Sequence, residues 1–469
     1  MTGPRLRTPL LTLGLAALLL GTAAMRGESA VAAGTHAGSP LSRAPVLLGG
    51  IDVGETDIRG LARAMHDAEL DTLQVSYEAR LREWDGAELS YDPPEVLRPR
   101  LRQAREAGLA LMLVLRVRLD EREPRNRHLW HGLAWPRAAA LDAFFARYRE
   151  FVLGAAEVAQ QEGVALLVIG NELNALTGTG VDVPGVLARG LDDAQLEREA
   201  LALRQCRSAG PVRWHDGGEY PDLASAVAGE QRALRSWAIR VAGEAAGREA
   251  RLRARRARHD DAWRAILDEA RAHFDGLLSY GAGFDSYSEV GFWDATDAIV
   301  STAYFGLRRA GETGDLRAAW AQHLAGLSRV AAARPSRPAL PVYLGELGFT
   351  RRAHSAVRPW SYEGFETLPR ADGGSECVAW AEQPLDPRER TRAFEALTAA
   401  LSAGALPQLR GVSLWKLTRA DEHAALEPYA IRLETPGEAP SGRLSEERPT
   451  LDALRSLSTM VRELGGPPR

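Results

Sequence analysis

Two glutamates each end an apolar run of the chain, where a carboxylate can do acid–base or nucleophilic chemistry. Glu172 follows the run 165–170 and Asn171, and Glu346 follows the run 341–345. Partial desolvation at such a position raises a carboxyl pKa and suits the group to proton transfer. One such glutamate could equally be salt-bridged or cap a helix, but two carboxylates about 5 to 5.5 Å apart can cleave a glycosidic bond with retention. The pair favours that chemistry.

The elements that must position this pair are short apolar runs alternating with longer amphipathic stretches. The runs lack polar alternation, as is typical of parallel strands covered on both faces. Eight strands are predicted, at 46–52, 72–76, 110–116, 165–170, 276–280, 298–304, 341–346 and 411–416. Helices are predicted at 57–68, 94–107, 136–161, 260–274, 315–333, 386–403 and 450–463.

This alternation predicts a (β/α)8 TIM barrel formed by a single domain, residues 46–469. No Gly-x-Gly-x-x-Gly follows the first strand, so a nucleotide-binding open sheet is not favoured. Residues 174–259 do not fit the repeat and are interpreted as a long helical insertion after strand four. The carboxyl ends of barrel strands form one mouth, so strands four and seven would bring the two glutamates together there.

Aromatic side chains near the predicted mouth favour a sugar ligand. The chain has 11 Trp against 10 Phe and 10 Tyr, and indole rings combine a large apolar face with a polar N–H. Trp130, Trp360 and Trp415 lie at strand ends or in the loops that follow, and we expect them to bind substrate. The only lysine, Lys416, follows Trp415, and its compact ammonium group is a further candidate for substrate binding.

Composition argues against several other functions. The formal net charge is −4, which does not favour a nucleic-acid partner. The two cysteines, Cys206 and Cys377, form no zinc-binding pattern, and no phosphate-binding loop is recognisable, so neither a metal nor a cofactor is expected. Whether these cysteines pair in a disulfide is left open.

Residues 1–33 have the pattern of an export signal. Arg5 and Arg7 precede an apolar stretch that is short for a membrane-spanning helix, and small residues follow it. We expect a cleaved signal peptide, with an uncleaved N-terminal anchor as the alternative, and a polar linker at 34–45. The predicted location is secreted, or periplasmic at the cell envelope, with membrane association only if the segment is uncleaved.

The quoted positions resemble the clan A glycoside hydrolases, in which a glutamate after asparagine ends strand four and a second glutamate ends strand seven. The segments 147–173, 278–305 and 345–360 resemble glycoside hydrolase family 113, whose known members are largely endo-β-1,4-mannanases. The resemblance implies that Glu172 is the acid/base and Glu346 the nucleophile. It also implies that Asn171 binds a sugar hydroxyl, Tyr304 contacts the nucleophile and Trp415 floors the cleft.

Three features depart from that family: the long insertion, the end of strand three at Arg116-Val117-Arg118, and a Trp130-His131-Gly132 segment that matches only in part. Tyr280, in the segment that resembles strand five, is also expected to bind substrate. The prediction is an exported retaining glycoside hydrolase acting on a β-linked polysaccharide or oligosaccharide, possibly β-1,4-mannan. The alternative is a non-catalytic carbohydrate-binding or envelope-associated barrel.

Overall fold

The structure is a computed structural model that describes residues 44–178, 210–214, 218–244, 249–333, 338–362, 365–369, 375–435, 437 and 442–466. Eight parallel strands form its centre. They are β1 (Leu47–Asp52), β2 (Thr72–Leu81), β3 (Ala110–Leu119), β4 (Leu166–Asn171), β5 (Leu277–Ala282), β6 (Ile299–Thr302), β7 (Val342–Leu347) and β8 (Leu409–Thr418). Each contains one of the eight predicted runs or most of it.

The sheet is closed, because each strand pairs with its neighbours in chain order and β1 pairs with both β2 and β8. Apolar side chains that point inward fill the barrel, among them Met112, Val114, Val168 and Val300. A larger apolar cluster joins the outward faces of the strands to the surrounding helices. The burial of both faces explains why the strands read as continuous apolar runs, and the predicted (β/α)8 barrel is confirmed.

Within the described ranges, eight longer helices accompany the strands. They are α1 (Ile58–Asp67), α2 (Arg98–Glu106), α3 (Leu141–Glu162), α4 (Leu223–Glu244), α5 (Glu249–Ala270), α6 (Leu316–Ala332), α7 (Pro387–Ser402) and α8 (Gly442–Gly465). Asp57 and Asp315 accept hydrogen bonds from backbone N–H groups in the first turns of α1 and α6, as N-cap carboxylates do. Short helices occupy Asn174–Thr177 and Asp421–Leu426, and two-stranded ribbons pair Val212–Arg213 with Glu219–Tyr220 and Phe365–Pro369 with Ser375–Ala379.

The structure differs from the sequence prediction at the insertion boundary. Helix α5 begins at Glu249 rather than at Asp260, so residue 259 lies inside a helix. Residues 281–296, which are too short for a full helix, form two 3-10 turns, Tyr287–Glu289 and Trp293–Ala295. Strands β2 and β3 continue past their predicted ends to residues 81 and 119.

The described part of the insertion contacts the loop that follows β3. The Trp237 side chain of α4 donates a hydrogen bond to the Leu133 carbonyl group at 2.7 Å. Arg255 of α5 donates to the Pro136 carbonyl group at 2.7 Å and lies 4.2 Å from the ring centre of Trp135. Arg255 is buried because it packs on this loop.

The predicted signal segment, most of the predicted linker and Cys206 lie outside the described residues, and so does the side chain of Cys377. Within the described ranges, no helix has the length and apolar character needed to cross a membrane.

Candidate active site

Irregularities in two strands turn polar side chains toward the barrel mouth. The pairing of β4 with β5 shifts register between Val168 and Asn171. Gly170 faces the helix layer, where a β-carbon would lie 2.8 Å from the Tyr148 hydroxyl oxygen. Asn171 then lies against Gly281, whose missing side chain leaves room for it, since a β-carbon there would be 2.5 Å from Asn171 Oδ1. Bulges of this kind redirect side chains next to active sites.

Strand β7 shifts register against both neighbours around Gly345 and Glu346. The Glu346 carboxylate is buried, with 4% of the residue exposed. Its Oε1 accepts hydrogen bonds from Asn171 Nδ2 at 3.1 Å and from an Arg116 guanidinium nitrogen at 2.7 Å, and its Oε2 accepts from the Tyr304 hydroxyl at 2.8 Å. Three donors of this kind stabilise the ionised form of a carboxylate.

Glu172 is surrounded differently. Its φ is +50°, an uncommon left-handed conformation for a residue with a side chain, and its N–H donates to the Gly281 carbonyl group at 2.7 Å. The Thr302 hydroxyl donates to Glu172 Oε1 at 2.8 Å. Burial, and next the negative charge of Glu346, raise the pKa of Glu172 to about 8.

The two carboxyl groups lie in different environments. Glu172 holds a proton below about pH 8, whereas Glu346 is bound by a guanidinium group and two neutral donors. Burial and the nearby Glu346 charge raise the pKa of Tyr304 well above its usual value, so its hydroxyl remains a donor. A pair of carboxyl groups in such different environments can supply one acid and one base or nucleophile.

Trp415 and Lys416 lie beside this pair. The Arg116 guanidinium carbon is 5.1 Å from the ring centre of Trp415, and Lys416 Nζ is 4.8 Å from it. Lys416 Nζ also forms an ion pair with Glu427 Oε2 at 2.7 Å. The indole ring therefore lies close to two cations, and the lysine ammonium group is held by Glu427.

The other predicted tryptophans lie in separate parts of the rim. Trp360 is 41% exposed and stacks on Phe284 with ring centres 5.1 Å apart, and Phe284 in turn meets Tyr304 edge to face at 6.3 Å. Trp130 is also 41% exposed and folds over Gly132, where a β-carbon would lie 2.1 Å from its ring. Only the Trp360 stack is linked to the carboxylate pair by ring contacts.

Tyr280 does not face the mouth, contrary to the expectation that it binds substrate. Its ring is fully buried and packs against Trp263 and Phe292 in the helix layer, because side chains alternate along β5 and position 280 points outward. Its hydroxyl accepts a hydrogen bond from the Leu173 N–H at 2.8 Å, so it supports the turn that follows Glu172.

Sequence reasoning did not assign Arg116 or Thr302 to the site. Both lie on barrel strands near the mouth, β3 and β6, and the strand-end criterion that identified the glutamates would have found them. His131 was also missed; burial and the charges of Arg116 and Arg118 lower its pKa to about 3, so its imidazole ring is neutral. A cavity of about 380 Å3 lies elsewhere, between residues 82–88 and 137–140, and the described residues contain no cluster of metal ligands.

Comparison with known proteins supports the resemblance. The family model of Glycoside Hydrolase Family 113 matches residues 250–374, a stretch that includes Glu346, Tyr304 and Trp360. The chain is similar in structure to a GH113 β-mannanase from Alicyclobacillus acidocaldarius, with a TM-score of 0.53 and 16% identity over 90% of this chain and 99% of that one. Two further structures of a GH113 β-1,4-mannanase give TM-scores of 0.53 at 14% identity over 88% of this chain.

No curated protein matches the chain. At 14 to 16% identity the structural likeness establishes the barrel fold, and the family match adds that the segment carrying Glu346 has the sequence character of these enzymes. Together they confirm the predicted resemblance and support a glycoside hydrolase.

Proposed function

We propose that this chain is an exported, retaining glycoside hydrolase that cleaves β-linked mannose polysaccharides. The observation that carries the proposal is the contrast between Glu172, whose pKa is raised to about 8, and Glu346, which three donors hold at the same barrel mouth. Retaining hydrolysis requires this combination of a proton donor and an ionised nucleophile.

In the first step, Glu172 gives its proton to the glycosidic oxygen as the bond to the anomeric carbon breaks. Glu346 attacks that carbon from the opposite face and forms a glycosyl ester. Arg116 and Tyr304 orient the carboxylate, and Asn171 keeps a polar amide beside it. Because the site is largely buried, these interactions act in a low dielectric and stabilise charge more strongly than they would in water.

In the second step, water hydrolyses the ester and Glu172 must accept a proton. In this proposal one residue serves both steps. The charge of Glu346 is the second contribution that raises the pKa of Glu172, and ester formation removes that charge. The pKa of Glu172 then falls, and the group that was an acid becomes a competent base.

Mannan is proposed as the substrate because the similar structures are those of β-mannanases and because the site presents aromatic surfaces. Trp415 lies beside the carboxylates, and the stack of Trp360 on Phe284 extends the aromatic surface away from Tyr304. Such rings suit the apolar faces of successive sugar units.

The test compares the full-length wild-type chain with Glu172→Gln, Glu346→Gln and the control Glu150→Gln, which alters an exposed carboxylate on α3. We expect the wild type and the control to release oligosaccharides from β-1,4-mannan and both site variants to lose this activity without a fall in melting temperature. Proton NMR of freshly released ends should show the β-anomer first. Release of the α-anomer first would exclude retention.

Trapping identifies the nucleophile directly. A 2-deoxy-2-fluoro-β-mannosyl fluoride should add one sugar mass to the peptide containing Glu346 and none in Glu346→Gln. If the wild type binds manno-oligosaccharides by calorimetry but releases no product from mannan, xylan or β-glucan, the non-catalytic carbohydrate-binding function replaces this proposal. Export is tested separately, by determining the N-terminus of the chain recovered outside the cytoplasm.

A further inference from the structure

A buried amide lies directly beneath the nucleophile, inside the barrel. Gln74 on β2 is 1% exposed, in an interior that other (β/α)8 barrels fill with branched apolar residues. Burial of an amide costs free energy unless its donors and its acceptor are all satisfied. The partners of Gln74 therefore indicate what this polar residue contributes.

All of its partners belong to the strands that carry the site. In the amide orientation that satisfies both ends, the nitrogen donates to the Gly345 carbonyl group at 2.9 Å and to the Ser413 hydroxyl of β8, and the oxygen accepts from the Arg116 guanidinium at 3.1 Å. Gly345 immediately precedes Glu346, and Arg116 binds the Glu346 carboxylate. Gln74 thus holds Glu346 indirectly, through the carbonyl group of the preceding residue and through the arginine that binds the Glu346 carboxylate.

The strand irregularity explains why this support is needed. Strand β7 shifts register against both β6 and β8 around Gly345, so the regular hydrogen-bond ladder is interrupted next to the nucleophile. Arg116 has a second partner in β2, because its Nε donates to the Ser76 hydroxyl at 2.9 Å. Gln74 and Ser76 therefore hold the guanidinium from β2, while it contacts Glu346 and lies 5.1 Å from the ring centre of Trp415.

We propose that Gln74 is a positioning residue for the reaction: it holds Arg116 and the Gly345 carbonyl group so that the Glu346 carboxylate is presented in one orientation. The inference rests on the proposed function, because it concerns the same nucleophile. A misplacement of about 1 Å in a reacting group can cost about a hundredfold in rate, which sets the scale of the expected effect.

The experiment uses the full chain as wild type, Gln74→Glu, Gln74→Met and the control Gln103→Glu, which makes the same charge change on the exposed face of α2. Substrates are mannohexaose and 2,4-dinitrophenyl β-mannobioside. The dinitrophenolate group leaves without protonation, so this substrate bypasses the acid role of Glu172 in the first step, whereas defects of Glu346 remain. Melting temperatures and the fraction of active sites that can be trapped correct for unfolded material.

We expect both Gln74 variants to lower kcat on the dinitrophenyl substrate by about ten- to a hundredfold with KM within about threefold, and Gln103→Glu to match the wild type. In Gln74→Glu the added charge competes with Glu346 for Arg116. The acidic limb of its pH–rate profile should therefore move to higher pH, which a merely structural defect would not produce.

The positioning role is overturned, and the proposed function is left intact, by either of two results. One is a kcat of the folded Gln74 variants within twofold of wild type. The other is a loss of kcat that is seen with mannohexaose and absent with the dinitrophenyl substrate. An acidic limb of Gln74→Glu that does not move would overturn this role as well. If Gln74→Met fails to fold, the isosteric Gln74→Glu carries the test. A wild type that releases no dinitrophenolate overturns the proposed function itself, which separates the two failures.

Discussion

The interaction between the two carboxyl groups can be measured directly. In the wild type, burial and the charge of Glu346 raise the pKa of Glu172 from 4.5 to about 8. Glu346→Gln removes the charge and keeps the shape. It also releases the Arg116 guanidinium from its ion pair, and that positive charge favours ionised Glu172 as well. Both changes lower the pKa of Glu172.

A neighbouring charge shifts a carboxyl pKa by about 1 to 3 units, and burial remains in the variant, so we expect the pKa of Glu172 to fall by about 1 to 2 units and stay above 4.5. Carbon NMR of protein labelled at the glutamate side-chain carboxyl carbon measures it, and the signal missing from Glu172→Gln assigns it. Glu427→Gln, which removes the partner of Lys416, is a control that should leave this titration nearly unchanged.

Titration of Glu172 at the same pH in the wild type and in Glu346→Gln would contradict the coupling between the two carboxyl groups. Burial alone would then raise its pKa, and ester formation on Glu346 could not convert Glu172 from acid to base. A titration near pH 4.5 already in the wild type would remove the acid assignment altogether.

Three further predictions concern Glu172, Tyr304 and Lys416. Relative to the wild type, Glu172→Gln should gain free energy of unfolding as the pH rises from 4.5 to 8, by up to roughly 5 kcal/mol. Folding raises the pKa of Glu172, so the wild type loses stability where the unfolded chain ionises this carboxyl group and the folded chain does not. A difference in urea midpoint between the two proteins that is the same at both pH values would contradict this. Tyr304→Phe removes the donor to Glu346 Oε2 and should lower kcat roughly ten- to a hundredfold with an unchanged melting temperature. An unaltered kcat would show that this hydrogen bond does not contribute to the reaction. Lys416→Met removes the ion pair to Glu427 beside Trp415 and should raise KM several-fold, about 1 kcal/mol in substrate affinity, whereas Lys416→Arg, which keeps the charge, should change it less.

The sequence carried most of the information about the fold because barrel strands are buried on both faces. Their apolar runs predicted all eight strands, and the two glutamates were identified because each directly follows such a run. The orientation of side chains was harder to predict. Tyr280 was assigned to the cleft, although the two-residue alternation of a strand turns it into the helix layer, while the bulges that turn Asn171 and Glu346 inward have no signature in one sequence.

Arg116 lies at the end of a predicted strand, but its partner could not be predicted. In sequence it departs from the family pattern. In the structure its guanidinium binds Glu346, a contact between residues on strands β3 and β7 that are far apart in the chain and meet only because the barrel closes. Gln74 and Ser413 likewise meet across the interior.

The position of Arg116 also decides which carboxyl group plays which role. Two nearby carboxylates resist simultaneous ionisation, so the group with the stronger cationic partner keeps its charge and the other holds the proton. Arg116 contacts Glu346 at 2.7 Å, whereas its effect on Glu172 is smaller than that of burial or of Glu346. In the proposed mechanism the roles of acid and nucleophile are therefore set by Arg116 on β3 and by Gln74, which contacts it. Arg116→Gln, which exchanges the cation for a neutral side chain and removes the ion pair to Glu346, should therefore lower kcat even though both glutamates remain in place.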